Sequence, residues 1–312
     1  MILLTFRCQV FRAPFRSKIS TLNELIFIRS KVWCHCRGAR TGLVAAAVVF
    51  CIASGVAAAP ARVVSINLCS DQYLLALASP GQIASVTWLA ADAVRSSEAK
   101  VAAGIPVNRG RAEEVVAFRP DMVFANQFSD PAAISLIRRL DIPVVVLPAA
   151  DDFGGVVENV RIAADALGVP ERGRAVIAAI RETLGAKPTD GNRPVVAALK
   201  PGGYTEGPGT LMDEAIARAG GVSLGRRLGL DGYATLPLER LVAAPVDLLI
   251  ESREATQYPS LGRAFLHHPA LEARLAETPR LTIPNNLTDC PAPASAELVP
   301  LIRDALRRLK VE

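Results

Sequence analysis

Aromatic residues are scarce in this chain, 5% of 312 positions, although 51% of positions are hydrophobic. Its cores must therefore be aliphatic and alanine-rich. Histidine is scarcer still, with His35, His267 and His268 the full set. So few imidazoles argue against a His-built zinc centre and leave no plausible nucleophile–base pair. Long apolar runs are lacking too. The run Gly42 to Ala53 is 12 residues, short of the roughly 20 that span a bilayer. No Gly/Ser-rich or Pro-rich tract divides the chain, so a flexible interdomain linker is not expected.

The net charge of +5 suggests a basic protein, but its distribution changes that reading. Residues 1–59 hold eight Lys/Arg (Arg7, Arg12, Arg16, Lys18, Arg29, Lys31, Arg37, Arg40) against Glu24, which is +7 and leaves −2 for residues 60–312. A mildly acidic body carries no nucleic-acid footprint. The basic segment, the apolar run 42–53 and the small residues Val56-Ala-Ala-Ala-Pro-Ala61 form the pattern of a cleaved signal peptide. Cleavage is expected between Ala58 and Ala61, which implies export. Four cysteines lie in this leader; Cys69 and Cys290 remain. An even pair in an exported protein is compatible with one disulfide. Two separate thiols are the alternative, because sequence alone cannot bring them within bonding distance.

The chain is organised around Asn108 to Asn126. Gly110 closes a loop, Glu113 to Phe118 gives a short helix, Pro120-Asp121 breaks it, and Met122 to Ala125 is an apolar strand. A similar unit returns at Leu238 to Glu251, through Pro245 and Asp247. Two copies imply two lobes of similar build around a cleft. In the first, strands at 62–68, 83–89 and 142–147 alternate with helices at 72–78, capped by Ser70 or Asp71, and at 131–140, with Ile134, Ile137 and Leu140 on one face. Ligands meet the carboxyl ends of such strands, which here carry Cys69, Trp88, Asn126, Gln127 and Phe128. Helices at 153–167 and 171–184 give a stiff connection. The second lobe offers strands at 195–199 and 281–283 and helices at 211–219 and 295–309.

Three motifs are weighed and set aside. The glycine-rich stretch Lys200 to Thr210 sits between a strand and a helix, but it matches neither G-x-G-x-x-G nor the P-loop; a loop lining the cleft fits better. Gly221-Val-Ser223-Leu-Gly225 matches the hydrolase elbow, yet a helix precedes it where that motif needs a strand. His267-His268 reads as a surface or capping pair.

Taken together, residues 62–310 resemble the periplasmic substrate-binding proteins of ABC importers for iron complexes and vitamin B12, the class whose lobes are joined by a rigid helix. The resemblance is carried by the Asn108–Asn126 stretch, by Gly207-Pro-Gly-Thr-Leu-Met-Asp-Glu-Ala with Ala219-Gly-Gly221, and by Leu238-Glu-Arg-Leu through Asp247-Leu-Leu-Ile250. It implies an α/β fold with two lobes, each a parallel sheet flanked by helices. The expected divisions are a leader at 1–59, an N-terminal lobe at 60–150, connecting helices at 151–190 and a C-terminal lobe at 191–312. It also implies a monomeric periplasmic protein that is not an enzyme, needs no cofactor or resident metal, and does not span the membrane once cleaved.

Residue by residue, the family's ligand-binding loops match Cys69, Trp88, Asn108, Arg109, Gln127, Phe128, Tyr204, Arg253 and Asn286. Trp88 and Tyr204 suit stacking on a macrocycle, Arg109 and Arg253 an anionic chelator. The family's permease-docking glutamates match Glu113 and Glu239, with Glu114 an adjacent candidate for the first. The implied ligand is a metal chelate, a ferric siderophore first, cobalamin or haem next, because bare-ion members use several histidines and carboxylates. The reading from another class is an exported two-domain enzyme acting on a phosphorylated substrate through the loop at 202–210.

Overall fold

The computed structural model describes residues 59–188, 191, 193–253, 264–265 and 267–309. The signal-peptide expectation falls on the leader and lies outside the described residues. Among the described residues no helix is long and apolar enough to cross a membrane.

The first sheet contains β1 (Val63–Ser65), β2 (Ile83–Thr87), β3 (Val107–Asn108), β4 (Met122–Asn126) and β5 (Val144–Leu147). Its order is β3-β2-β1-β4-β5, and every pair is parallel. Aliphatic strands suit this position, because a parallel sheet is covered on both faces: Val63, Val64, Val123, Phe124 and Ala125 have no exposed surface. The helices are α1 (Leu68–Leu77), α2 (Ala99–Ala102), α3 (Ala112–Ala117) and α4 (Pro131–Arg139).

The first expected strand is shorter than the sequence suggests, and the cap moves with it. Asn67 caps α1, its side chain accepting from the Cys69 amide at 2.8 Å. Ser70 and Asp71 are turned inward instead and are fully buried. β2 likewise ends at Thr87, so Trp88 opens a 3-10 turn rather than closing the strand. Leu140 leaves the apolar face of α4 because the helix ends at Arg139 and the chain turns out through Asp141 at φ 57; Leu140 is 50% exposed while Ile137 is buried.

The repeated helix–proline–aspartate–strand unit has a physical explanation. Asp121 accepts from the Ala61 amide at 2.7 Å and from the Arg62 amide at 3.1 Å, clamping the chain as it enters β1. Asp247 accepts from the Val195 amide at 2.7 Å and clamps the entry to β6 (Val195–Lys200) in the same way. Proline ends the helix, and the aspartate then pins the neighbouring central strand. Ahead of this unit, Gly110 sits at φ +75, and a Cβ there would lie 2.8 Å from the Ile66 carbonyl oxygen; only glycine fits.

The connection is a pair of helices, α5 (Phe153–Ala166) and α6 (Pro170–Leu184), broken at Gly168. They pack so closely that a Cβ on Gly173 would lie 2.5 Å from that of Ala164. One continuous core runs from Val63, Phe124 and Leu147 through Phe153, Val160, Ile180 and Leu184 to Val196, Ile250 and Ile302. The stiffness expected of this segment rests on that shared core.

The second sheet departs from the wholly parallel expectation. It adds β7 (Tyr204–Glu206), β8 (Val222–Ser223), β9 (Tyr233–Thr235), β10 (Leu248–Arg253) and β11 (Arg280–Pro284), in the order β11-β10-β6-β7-β9, with β8 also pairing β6. β10 is parallel to β6 and β11, whereas β7 is antiparallel to both β6 and β9. The glycine-rich stretch is therefore no simple strand-to-helix loop. It turns back at Gly202-Gly203, forms β7, and turns again before α7 (Leu211–Ala219). The remaining helices are α8 (Leu224–Arg227), α9 (Leu238–Ala243), α10 (Pro269–Arg274) and α11 (Leu298–Arg308). α11 starts later than expected because Pro293–Glu297 is a separate 3-10 turn.

Candidate functional site

Several contacts bring the carboxyl edges of the two sheets together. Cys69, just past β1, is joined to Cys290, just past β11, by a disulfide with a Cα–Cα distance of 5.1 Å. The Tyr73 hydroxyl donates to the Pro291 carbonyl at 2.9 Å, and burial pushes that phenol up. Asn286 donates to the Ala93 carbonyl at 3.1 Å, and Arg95 pairs with Asp289 at 3.5 Å. Elsewhere the Phe153 amide, at the start of α5, donates to Glu214 of α7 at 2.8 Å, while the Arg218 guanidinium lies 5.8 Å from the Phe153 ring centre.

Trp88 and Phe128 follow β2 and β4 at the first sheet's carboxyl edge and are 55% and 73% exposed. Gln127 is exposed, and its side chain accepts from the Ala149 amide at 2.9 Å, tying the loops after β4 and β5. Arg109 is exposed on the same edge. Asn108 is a correction. It is buried, its amide donates to the Ser65 carbonyl, the Ser85 hydroxyl and the Val86 carbonyl at 2.8–3.0 Å, and its oxygen accepts from the Gly110 amide. It fastens strands and has no capacity left for a ligand. Cys69 is likewise committed, to its disulfide. Arg253 closes β10, and its side chain lies outside the described residues.

The second wall holds residues that the sequence reading passed over. Lys200 pairs in register with Tyr204, and Glu206 with Tyr233. Cross-strand partners share a face of the sheet, so these four side chains form one patch. Tyr204 and Tyr233 are 51% and 61% exposed, whereas Glu206 is buried. The Lys200 ammonium lies 2.6 Å from the Glu206 carboxylate and 5.5 Å from the Tyr233 ring centre. Partial burial, then the charges of Glu206 and Asp151, push the Tyr233 phenol up to about 12. Asp151 lies on the loop after β5 of the first sheet.

Glu113 and Glu239 are exposed in the first turns of α3 and α9. Glu114 folds back to accept from the Arg109 amide at 2.6 Å, leaving Glu113 as the outward acid. Both helices follow strands that end on the carboxyl side, since β9 runs parallel to β6 through two antiparallel steps. Of the motifs set aside, Ser223 donates to Asp213 and caps α8, while Arg226 pairs with the same carboxylate. His268 caps α10 and His267 meets Glu272 at 3.0 Å. Among the described residues no group of three or more His, Cys, Asp or Glu is placed to hold a metal ion.

Asp71 lies beneath this rim. It accepts from the Thr87 amide at 3.2 Å and from the Thr87 hydroxyl. Burial outweighs these bonds and raises its carboxyl to about 6 from 3.8. The native state thus holds the proton more tightly than the unfolded chain does. That contribution to stability is fully present below about pH 4 and is lost as pH rises through about 6. Asp71→Asn should remove this slope. Relative to the variant, the wild type should lose on the order of 2 kcal/mol between about pH 4 and 6.5, read from denaturant midpoints.

Two α/β sheets with facing carboxyl edges, joined by helices and one core, define a two-lobed solute-binding protein. The chain belongs to the periplasmic binding protein family, whose model matches residues 63–274. Its relatives include a cobalamin-binding protein of Halobacterium salinarum, 26% identical over 213 residues, or 66% of this chain; the chain spans 58% of that relative's length. Solved structures share the fold, two of them as follows. The periplasmic heme-binding protein RhuT from Roseiflexus sp. RS-1 has a TM-score of 0.64 at 21% identity, over 78% of this chain and 98% of that one. The periplasmic vitamin B12-binding protein BtuF of Vibrio cholerae has a TM-score of 0.57 at 14% identity, over 81% and 99%.

Proposed function

We propose that this chain captures a metal chelate between the carboxyl edges of its two sheets and delivers it to an inner-membrane ABC importer. The observation that carries the reading is the set of four exposed aromatics among the described residues, Trp88 and Phe128 on one wall and Tyr204 and Tyr233 on the other. In a chain so poor in aromatics, large apolar side chains left open to water at strand ends suit a broad, flat partner. Export through the leader, the lobe divisions at 60–150, 151–190 and 191–312, and docking through Glu113 and Glu239 belong to the same proposal. Asn286 and Arg95 already bridge the lobes; Arg109 and Gln127 complete the described rim, and Arg253, at the end of β10, is kept as a candidate ligand contact.

A corrinoid such as cobalamin is the favoured chelate, ahead of the ferric siderophore that the sequence alone puts first. The curated cobalamin-binding relative supports this choice. The test uses the only tryptophan beyond the leader, Trp88. Its fluorescence in the chain 60–312 is expected to quench saturably with cobalamin, at lower concentration than with haem or a ferric siderophore. A stronger response to either of the others would reassign the chelate, and no response to any would overturn the binding reading.

A further inference from the structure

The Lys200–Glu206 pair controls what charge the second wall shows to a ligand. Glu206 is 5% exposed and Lys200 37%. A carboxylate so nearly sealed needs its counter-ion, since removing one partner leaves a buried charge uncompensated. The ammonium is therefore held inward, between the Glu206 carboxylate and the Tyr233 ring, and is not free to receive a ligand's anion. Asp151, on the loop after β5, is exposed, and its negative charge acts on Tyr233. Around this tyrosine pair the second wall's Lys200 and Glu206 therefore cancel, with Lys200 committed to the pair.

We propose that Glu206 is a specificity-determining residue: by occupying Lys200 it leaves this patch without a free cation, so that the site selects chelates rimmed by amides over chelates rimmed by carboxylates. The proposal rests on the corrinoid reading and deepens it. Amide N–H groups donate to Asp151 and to the tyrosine hydroxyl oxygens, whereas a ligand carboxylate is repelled and finds no free cation on this patch. Selection of this kind works by penalising the wrong ligand as much as by holding the right one.

The experiment compares cobalamin with its monocarboxylic acid, in which one side-chain amide is hydrolysed, by calorimetric titration of the chain 60–312. The wild type should prefer cobalamin about tenfold or more, as expected for a like charge placed against a partly desolvated wall. Glu206→Gln frees Lys200, and Asp151→Asn removes a negative charge at an exposed loop without disturbing the pair. Each should bring the preference to within about twofold, with thermal melts confirming that the variant is folded. A ratio unchanged in both variants, or in Asp151→Asn alone should Glu206→Gln fail to fold, would overturn the proposal. Equal affinities in the wild type would overturn charge selection while leaving the corrinoid reading intact. Binding of neither compound would overturn both.

Discussion

Reversing Glu113 and Glu239 to lysine together is expected to abolish chelate uptake while leaving chelate affinity unchanged. Both carboxylates are exposed in the first turns of their helices, where the helix dipole favours negative charge. Both helices begin on the carboxyl side of their sheets, on the same side of the fold as the aromatic rim. An outward carboxylate accepts a bidentate arginine, and close charge pairs across an interface couple by about 1.5–7 kcal/mol. Losing two, with repulsion in their place, should weaken docking at least about a hundredfold. Vesicle uptake with the reconstituted importer reads the loss, and calorimetry reads the affinity. If affinity for the chelate fell instead, these acids would belong to the pocket. Glu114→Gln serves as the internal control, because that side chain is committed to the Arg109 amide.

The second large effect is on stability. Cys69 and Cys290 are 221 residues apart in sequence, and closing a loop of that length lowers the entropy of the unfolded chain by an amount equivalent to about 5 kcal/mol. The bond also backs the contacts of Tyr73, Arg95 and Asn286 between the same two segments. Replacing both cysteines by serine should therefore lower the melting temperature by roughly 10–20 °C, taking about 2–4 °C per kcal/mol for a domain of this size. Reduction of the wild type should reproduce the shift. A change of only a degree or two would mean that the shared core through α5 and α6 holds the lobes by itself.

The parts of this fold that were legible in the sequence are those with local causes. Thr210 and Gly220 bracket α7 as cap and left-handed terminus, and its expected bounds match. The proline–aspartate breaks at Asp121 and Asp247 mark where β4 and β10 begin, although the clamps those aspartates form are visible only in three dimensions. What escaped depends on pairing between distant residues. β7 and β9 are three residues each and exist only through one another and β6, so Tyr233, Glu206 and Lys200 gave no periodic signal. The alternation of Tyr204, Thr205 and Glu206 after a glycine turn was the clue available. Asn108 looked like a rim residue because it ends a strand, yet three acceptors on neighbouring strands draw it inward. Ser70 and Asp71 have the chemistry of helix caps, but Asn67 comes first and Thr87 claims Asp71. The pairing of the two cysteines, left open by the sequence, follows from the folded positions of β1 and β11.

The account turns on a chelate held between two walls, and one titration reaches that claim directly. Cobalamin is titrated calorimetrically into the chain 60–312, then into Trp88→Ala and into Tyr233→Ala, one change on each sheet. The expected result is one saturable site in the wild type, weakened at least about tenfold by either substitution, since each removes a stacking surface from a different side. Loss confined to one variant, or a wild type that takes up no chelate, would contradict it.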